Sequence, residues 1–119
     1  MTPTVLIVDD DPGCVEALRD TLQDVGYQVS TARSAMEALR FLESELRPSV
    51  IILDLLMPGM TGEEFLERRQ ADPRLAEIPV IVVSATPLQS HTADGRTPVL
   101  RKPVDAAELL DIIASVTSP

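Results

Sequence analysis

The sequence predicts one α/β domain built on an open, five-stranded parallel sheet in the order 2-1-3-4-5, with helices on both faces. Strand-like and helix-like segments alternate along the 119 residues, a pattern typical of a parallel sheet. Three strand-like segments are apolar throughout, as buried central strands are. A fourth alternates between apolar and polar residues, as a half-exposed edge strand does.

Five segments are predicted to form the strands. The continuous apolar runs cover residues 4–8, 49–53 and 79–85, the alternating segment covers 27–31, and a short segment at 98–102 is the fifth candidate. The apolar runs need a helix layer on each side, so they are expected at the centre of the sheet, and the alternating segment is expected at its edge.

The first helix is predicted to follow strand 1 directly. Asp11 is placed to cap its N-terminus, Pro12 fits the first helical position, and Gly26 marks its end. Between these signals, apolar residues recur at helical spacing. They are Val15, Leu18, Leu22 and Val25.

The remaining helices are predicted from their capping signals. Ser34 with Glu37, and Thr61 with Glu64, have the spacing of a capping box. The last helix is expected to begin near Asp105. The residues predicted to face inward are Ala35, Leu39, Leu42 and Leu46 on the second helix, and Leu109, Ile112, Ile113 and Val116 on the last.

Charge and composition exclude several classes of protein. The net charge of −9 argues against direct nucleic-acid binding and against an anionic membrane as the main partner. It favours partners with basic patches, or a bound cation. The single cysteine excludes an internal disulfide. Because the sequence has neither a signal peptide nor an apolar run of about 20 residues, a cytoplasmic protein is expected.

Acidic residues stand at the ends of two strands that should be neighbours. Asp9 and Asp10 follow strand 1, and Asp54 follows strand 3. In open parallel sheets, ligands bind beyond the carboxyl ends of the strands at the switch point, which lies here between strands 1 and 3. Carboxylates gathered there repel one another. The sequence therefore predicts a site for Mg²⁺, which takes oxygen ligands and often phosphate, and leaves Asp11 only the role of helix cap.

Two further polar residues are expected at the same edge of the sheet. Ser84 lies at the end of strand 4, and Lys102, the only lysine, lies at the end of strand 5 immediately before Pro103. A carboxylate, a cation site, a hydroxyl and an ammonium group together suit a phosphoryl group attached to a carboxylate.

With these residues in place, the chain resembles the receiver domain of two-component response regulators, whose fold is flavodoxin-like. The resemblance rests on "VDDD" (8–11), "DLLMPGMTG" (54–62), "VVSA" (82–85) and "RKP" (101–103), which come in the family's order, each at a strand end. It covers essentially the whole chain. Residues 1–119 are therefore expected to be one receiver domain, which could be part of a longer multidomain regulator.

The resemblance implies a role for each site residue. Asp54 would accept a phosphoryl group from a histidine kinase or phosphotransfer protein, and Ser84 and Lys102 would bind that group. The implied function is a phosphorylation switch in a phosphorelay, acting on an output domain or partner protein, and not that of a dedicated enzyme. The Mg²⁺ ligands that it implies are Asp9, Asp10, Asp54 and the backbone carbonyl of Leu56.

The chain departs from the family pattern in two places. Residues 86–98 have no helical stripe of apolar residues, so the fourth helix is predicted to be shortened or missing. Val99 stands where the family usually has an aromatic switch residue. Both departures fall on the usual output surface. They leave open an alternative function, a docking module whose output does not depend on phosphorylation.

Two other functions fit the residues poorly. An aspartyl-nucleophile phosphatase places a second acid two residues after the nucleophile, where this chain has Leu56. A dinucleotide site needs a glycine-rich loop after strand 1, whereas this loop reads "DDDPG" and carries negative charge.

Overall fold

The computed structural model describes residues 4–43, 47–54, 62–84, 99–101 and 104–117, and for Glu63, Ser84 and Val99 it describes the backbone alone. Strands and helices alternate along these residues. The elements are β1 (Thr4–Val8), α1 (Pro12–Asp24), β2 (Gln28–Ala32), α2 (Ala35–Glu43), β3 (Val50–Asp54), α3 (Gly62–Ala71), β4 (Val80–Ser84), β5 (Val99–Arg101) and α4 (Ala106–Thr117).

The strands form one sheet in the order β2-β1-β3-β4-β5, and every neighbouring pair is parallel. The predicted fold class and strand order are confirmed. Each strand begins and ends within one residue of its predicted position. β3 is buried along its whole length, whereas β2 keeps exposed residues, as expected of a central strand and an edge strand.

Alternate residues of the strands pack into two apolar layers, one on each face of the sheet. In β1, Leu6 and Val8 pack toward α2 and α3, whereas Val5 and Ile7 pack toward α1 and α4. This division follows from the two-residue period of a strand. Phe65 of α3 is fully buried and is the largest side chain of the first layer.

The helix caps predicted at Asp11 and Ser34 are present. The Asp11 carboxylate accepts hydrogen bonds at the N-terminus of α1, and Pro12 occupies its first position. Gly26 ends the helix with φ of +100°, a conformation that glycine adopts without strain. The Ser34 hydroxyl caps α2 and the Asp105 carboxylate caps α4, at 3.1 and 3.2 Å from the backbone nitrogens that they accept from.

Some of the helix predictions fall outside the described residues. They concern Leu46, Thr61 and the segment 86–98, where the fourth helix is predicted to be shortened or missing. The described residues contain four helices, and on α4 the predicted inward residues are buried or partly buried. None of these four helices has the length and apolarity to cross a membrane.

A single arginine fixes the turn between α3 and β4. The guanidinium of Arg69 donates from Nε and Nη2 to the carbonyl oxygen of Ile78, at 2.9 and 2.6 Å, and from Nη2 to that of Ala76, at 2.8 Å. These carbonyl groups immediately precede β4. Arg69 therefore sets where the chain enters the sheet.

The same turn contains an exposed ion pair. Arg74 Nη2 lies 3.1 Å from Asp72 Oδ2, and this hydrogen-bonded guanidinium lowers the pKa of the Asp72 carboxyl below its usual value. Exposed pairs of this kind contribute little to folding. The Arg69 contacts are therefore the more important ones in this turn.

We expect Arg69→Ala to lower the free energy of unfolding by about 1.5 to 3 kcal/mol, because two partly buried carbonyl groups lose a charged donor. Urea denaturation measures the change. Arg68→Ala, at the neighbouring exposed position, is the matched control and should change stability by less than about 0.5 kcal/mol. Equal effects of the two substitutions would show that the Arg69 contacts do not stabilise the turn.

Candidate functional site

The parallel register of the neighbouring strands β1 and β3 brings Asp9 and Asp54 side by side. Val8 of β1 pairs with Leu53 of β3 in parallel, so the next residue on each strand reaches the same point at the carboxyl edge of the sheet. Asp54 is 5% exposed and Asp9 is 1% exposed. Asp9 and Asp54 are the two polar or charged residues that are buried in the part of the chain that the structure describes.

Asp10 completes a cluster of three acids. One carboxylate oxygen from each of Asp9, Asp10 and Asp54 lies within 4.8 Å of the others, although Asp10 itself is exposed. The predicted meeting of these side chains at the switch point is therefore observed. Their role as metal ligands stays a prediction.

The cluster fits a small, hard cation. Opposite ligands of an octahedral Mg²⁺ with bonds of about 2.1 Å lie about 4.2 Å apart, so small side-chain rotations would bring the three oxygens to ligand distance. All three donors are carboxylate oxygens, the type that Mg²⁺ prefers. Without a cation, each pair of carboxylates repels by on the order of 1 to 3 kcal/mol in a partly solvated site.

The backbone fixes the position of Asp9 on two sides. Its N–H donates to the carbonyl oxygen of Ala32 at the end of β2, at 3.1 Å. Its carboxylate oxygen Oδ1 accepts from the N–H of Asp11 at 2.9 Å. From sequence, Asp11 is predicted only as a helix cap. Its second contact, with Asp9, could not be predicted because it uses a backbone N–H, which leaves no side-chain pattern.

A cavity of about 550 Å³ adjoins the acids between α1 and the end of β2. Its lining includes Asp9 and Asp10 together with Arg19 and Arg33. Neither arginine is predicted as a site residue from sequence, because the two lie on separate segments and match no motif. The same lining also includes Glu16, so three acids face the two arginines in this cavity.

The other predicted site residues are only partly described. The backbone of Ser84 ends β4 and pairs with Arg101 of β5, which places both strand ends at the edge that carries the acids. The Ser84 side chain, Leu56 and Lys102 lie outside the described parts of the chain. Their contacts with a phosphoryl group or metal therefore stay predictions.

The chain is similar in sequence to proteins of a known family. The family model for the response regulator receiver domain matches residues 5–114. An uncharacterised 14.6 kDa protein of Leptolyngbya boryana is 37% identical over 113 residues, which cover 92% of this chain and 86% of that protein. Response regulator Rre1 of Synechocystis is 32% identical, over 95% of this chain and 51% of its own length. The chain thus spans about half of Rre1.

A solved structure shows the same fold. The chemotaxis protein CheY4 of Vibrio cholerae superimposes with a TM-score of 0.87 at 32% sequence identity, covering 98% of this chain and 99% of that one. The shared fold covers both the sheet and the helices that position the acid cluster.

We expect Asp10→Asn to raise the free energy of unfolding by about 1 kcal/mol without divalent cations, because it removes one of three like charges. The substitution should also remove most of the stabilisation that Mg²⁺ gives. Urea denaturation with EDTA, and then with MgCl₂, measures both effects.

Asp20→Asn, on the exposed face of α1, makes the same change in net charge and is the control. If it altered stability and the Mg²⁺ response as much as Asp10→Asn does, the effect would reflect overall charge and not the cluster.

Proposed function

Because the chain belongs to the family of response regulator receiver domains, we propose that it accepts a phosphoryl group on Asp54 in a Mg²⁺-dependent step of two-component signalling. The observation that carries this proposal is the cluster of Asp9, Asp10 and Asp54 at the carboxyl edge of the sheet. Burial of two carboxylates at the ends of apolar strands lowers the free energy of unfolding. We therefore infer that these two acids serve a function.

The metal would be held by the carboxylates of Asp9, Asp10 and Asp54, with the backbone carbonyl of Leu56 as a further ligand. A bound Mg²⁺ supplies positive charge that offsets both the acids and the incoming phosphoryl oxygens. Asp10, which is exposed, would be the principal protein ligand.

Asp54 would be the nucleophile. Its carboxylate oxygen attacks the phosphorus of a phosphohistidine on a kinase or phosphotransfer protein. The bond between phosphorus and the histidine nitrogen breaks, and the imidazole leaves with the electron pair. The product is a mixed anhydride on Asp54. Its position at the end of a buried strand fixes the carboxylate for in-line attack.

The phosphoryl group would then be read by residues at the neighbouring strand ends. The Ser84 hydroxyl and the Lys102 ammonium group would bind its oxygens and bias the loops that follow β4 and β5. A partner protein or an output domain in a cytoplasmic signalling pathway would respond. The chain would thus take up one phosphoryl group per switching event and would not act as a dedicated enzyme.

Incubation with acetyl phosphate and MgCl₂ should add one phosphoryl group to the wild-type chain, detected by intact-protein mass spectrometry. Asp54→Asn should remain unmodified because the amide is a poor nucleophile, and EDTA should prevent the reaction in the wild-type chain. Asp111→Asn, exposed on α4, should react like the wild type. An unmodified wild-type mass, or an equal mass gain in Asp54→Asn, would refute the proposal.

The alternative, a docking module whose output does not depend on phosphorylation, is motivated by the sequence of residues 86–98 and by Val99. Beryllofluoride, a phosphoryl analogue, separates the two. With Mg²⁺ it should change the amide NMR shifts of β4 and β5 as well as those of the acid cluster, if the switch operates. Changes confined to the acid cluster would favour the docking module.

A further inference from the structure

Asp11 makes hydrogen bonds through one side-chain oxygen, its carbonyl oxygen and its N–H at the start of α1. Its side-chain oxygen Oδ1 accepts from the N–H of Gly13 at 3.0 Å and from that of Cys14 at 3.4 Å. Its carbonyl oxygen accepts from the N–H of Val15 at 3.0 Å. Its own N–H donates to Asp9 Oδ1 at 2.9 Å. Asp11 therefore joins the helix to the acid cluster.

Because of these contacts, the direction of the Asp11 N–H depends on the helix cap. The side-chain bonds fix the backbone of Asp11 in an extended conformation, with φ of −89° and ψ of 107°. That conformation aims its N–H at a carboxylate that is almost fully buried. If the cap were lost, the first turn of α1 would loosen, and the Asp9 carboxylate would lose a fixed donor.

We infer that Asp11 is a positioning residue of the acid cluster: by capping α1 it holds the N–H that orients the Asp9 carboxylate for cation binding. Asp11 is not itself a member of the cluster, so it acts through Asp9. This inference rests on the proposed Mg²⁺ site. It assigns Asp11 a role beyond the stabilisation of a helix.

Substitutions can separate the effect of the Asp11 charge on Mg²⁺ affinity from the effect of its helix cap. Asp11→Asn keeps an oxygen that can cap the helix but removes the charge. Asp11→Ala removes both the cap and the charge. The ratio of their Mg²⁺ dissociation constants therefore measures the contribution of the cap alone.

A matched control comes from the other carboxylate cap. Asp105 Oδ1 accepts from the N–H of Glu108 at 3.2 Å, and the Asp105 carbonyl accepts from that of Leu109 at 3.0 Å. Asp105 thus also caps a helix with its carboxylate, through one side-chain hydrogen bond where Asp11 accepts two, and Asp105 is no member of the acid cluster. Asp105→Ala should thus lower the melting temperature to a similar extent without disturbing Asp9.

The experiment is a calorimetric titration of each variant with MgCl₂, paired with a thermal melt. We expect Asp11→Asn to bind Mg²⁺ within about twofold of the wild type, because an exposed charge interacts only weakly with the cation through water. Asp11→Ala should bind about tenfold more weakly, the lower end of the losses seen when a ligand's supporting hydrogen bond is removed. Asp105→Ala should bind as the wild type does.

Equal affinities of Asp11→Ala and Asp11→Asn would overturn the inference, as would an equally weakened Asp105→Ala. If Asp11→Ala fails to fold, Asp11→Gly replaces it, since glycine is accepted at N-caps with little loss of stability. Glycine lacks the side-chain oxygen that fixes the backbone at this position and leaves that backbone free to move, so Asp11→Gly should show the same weakened binding. A wild-type chain that binds no Mg²⁺ would instead refute the proposed function, and this inference with it.

Discussion

Repulsion among three carboxylates is the constraint on which the rest of the molecule depends. Asp9 and Asp54 reach one point because β1 and β3 pair in parallel register, and Asp10 follows one of them. The sheet cannot form in this register without bringing these charges together. The stability of the core and the electrostatics of the site are therefore linked. The pairing of β1 with β3 buries both strands and also brings together acids whose charge a bound cation would offset.

The apolar layers are large enough to hold the acids in place. A fully buried aliphatic or aromatic side chain contributes about 1.5 to 3 kcal/mol, and β1, β3 and β4 bury such residues on both faces. A few of these residues, such as Phe65, offset the repulsion of the cluster. Local contacts then refine the geometry: Arg69 fixes the entry into β4, and the cap of α1 fixes Asp9.

Much of this arrangement could be predicted from sequence because its signals are local. Apolar runs predicted β1, β3 and β4 to within one residue, and the caps at Asp11 and Ser34 followed from residue type and spacing. The meeting of Asp9 with Asp54 followed from strand order. The Asp11 N–H contact, the Arg69 contacts with the turn, and the joining of Arg19 and Arg33 in one cavity could not be predicted. They depend on backbone direction or on side-chain conformations in space, which no spacing along the chain encodes.

The most direct test of the central claim is a crystal structure determined with Mn²⁺ in place of Mg²⁺, since both take octahedral oxygen ligands and manganese gives an anomalous signal. One anomalous peak should lie among the carboxylate oxygens of Asp9, Asp10 and Asp54, at about 2.2 Å from those that bind it directly. A crystal grown at saturating Mn²⁺ with no peak at these acids, or with the metal on surface acids such as Glu108 and Asp111 alone, would contradict the account.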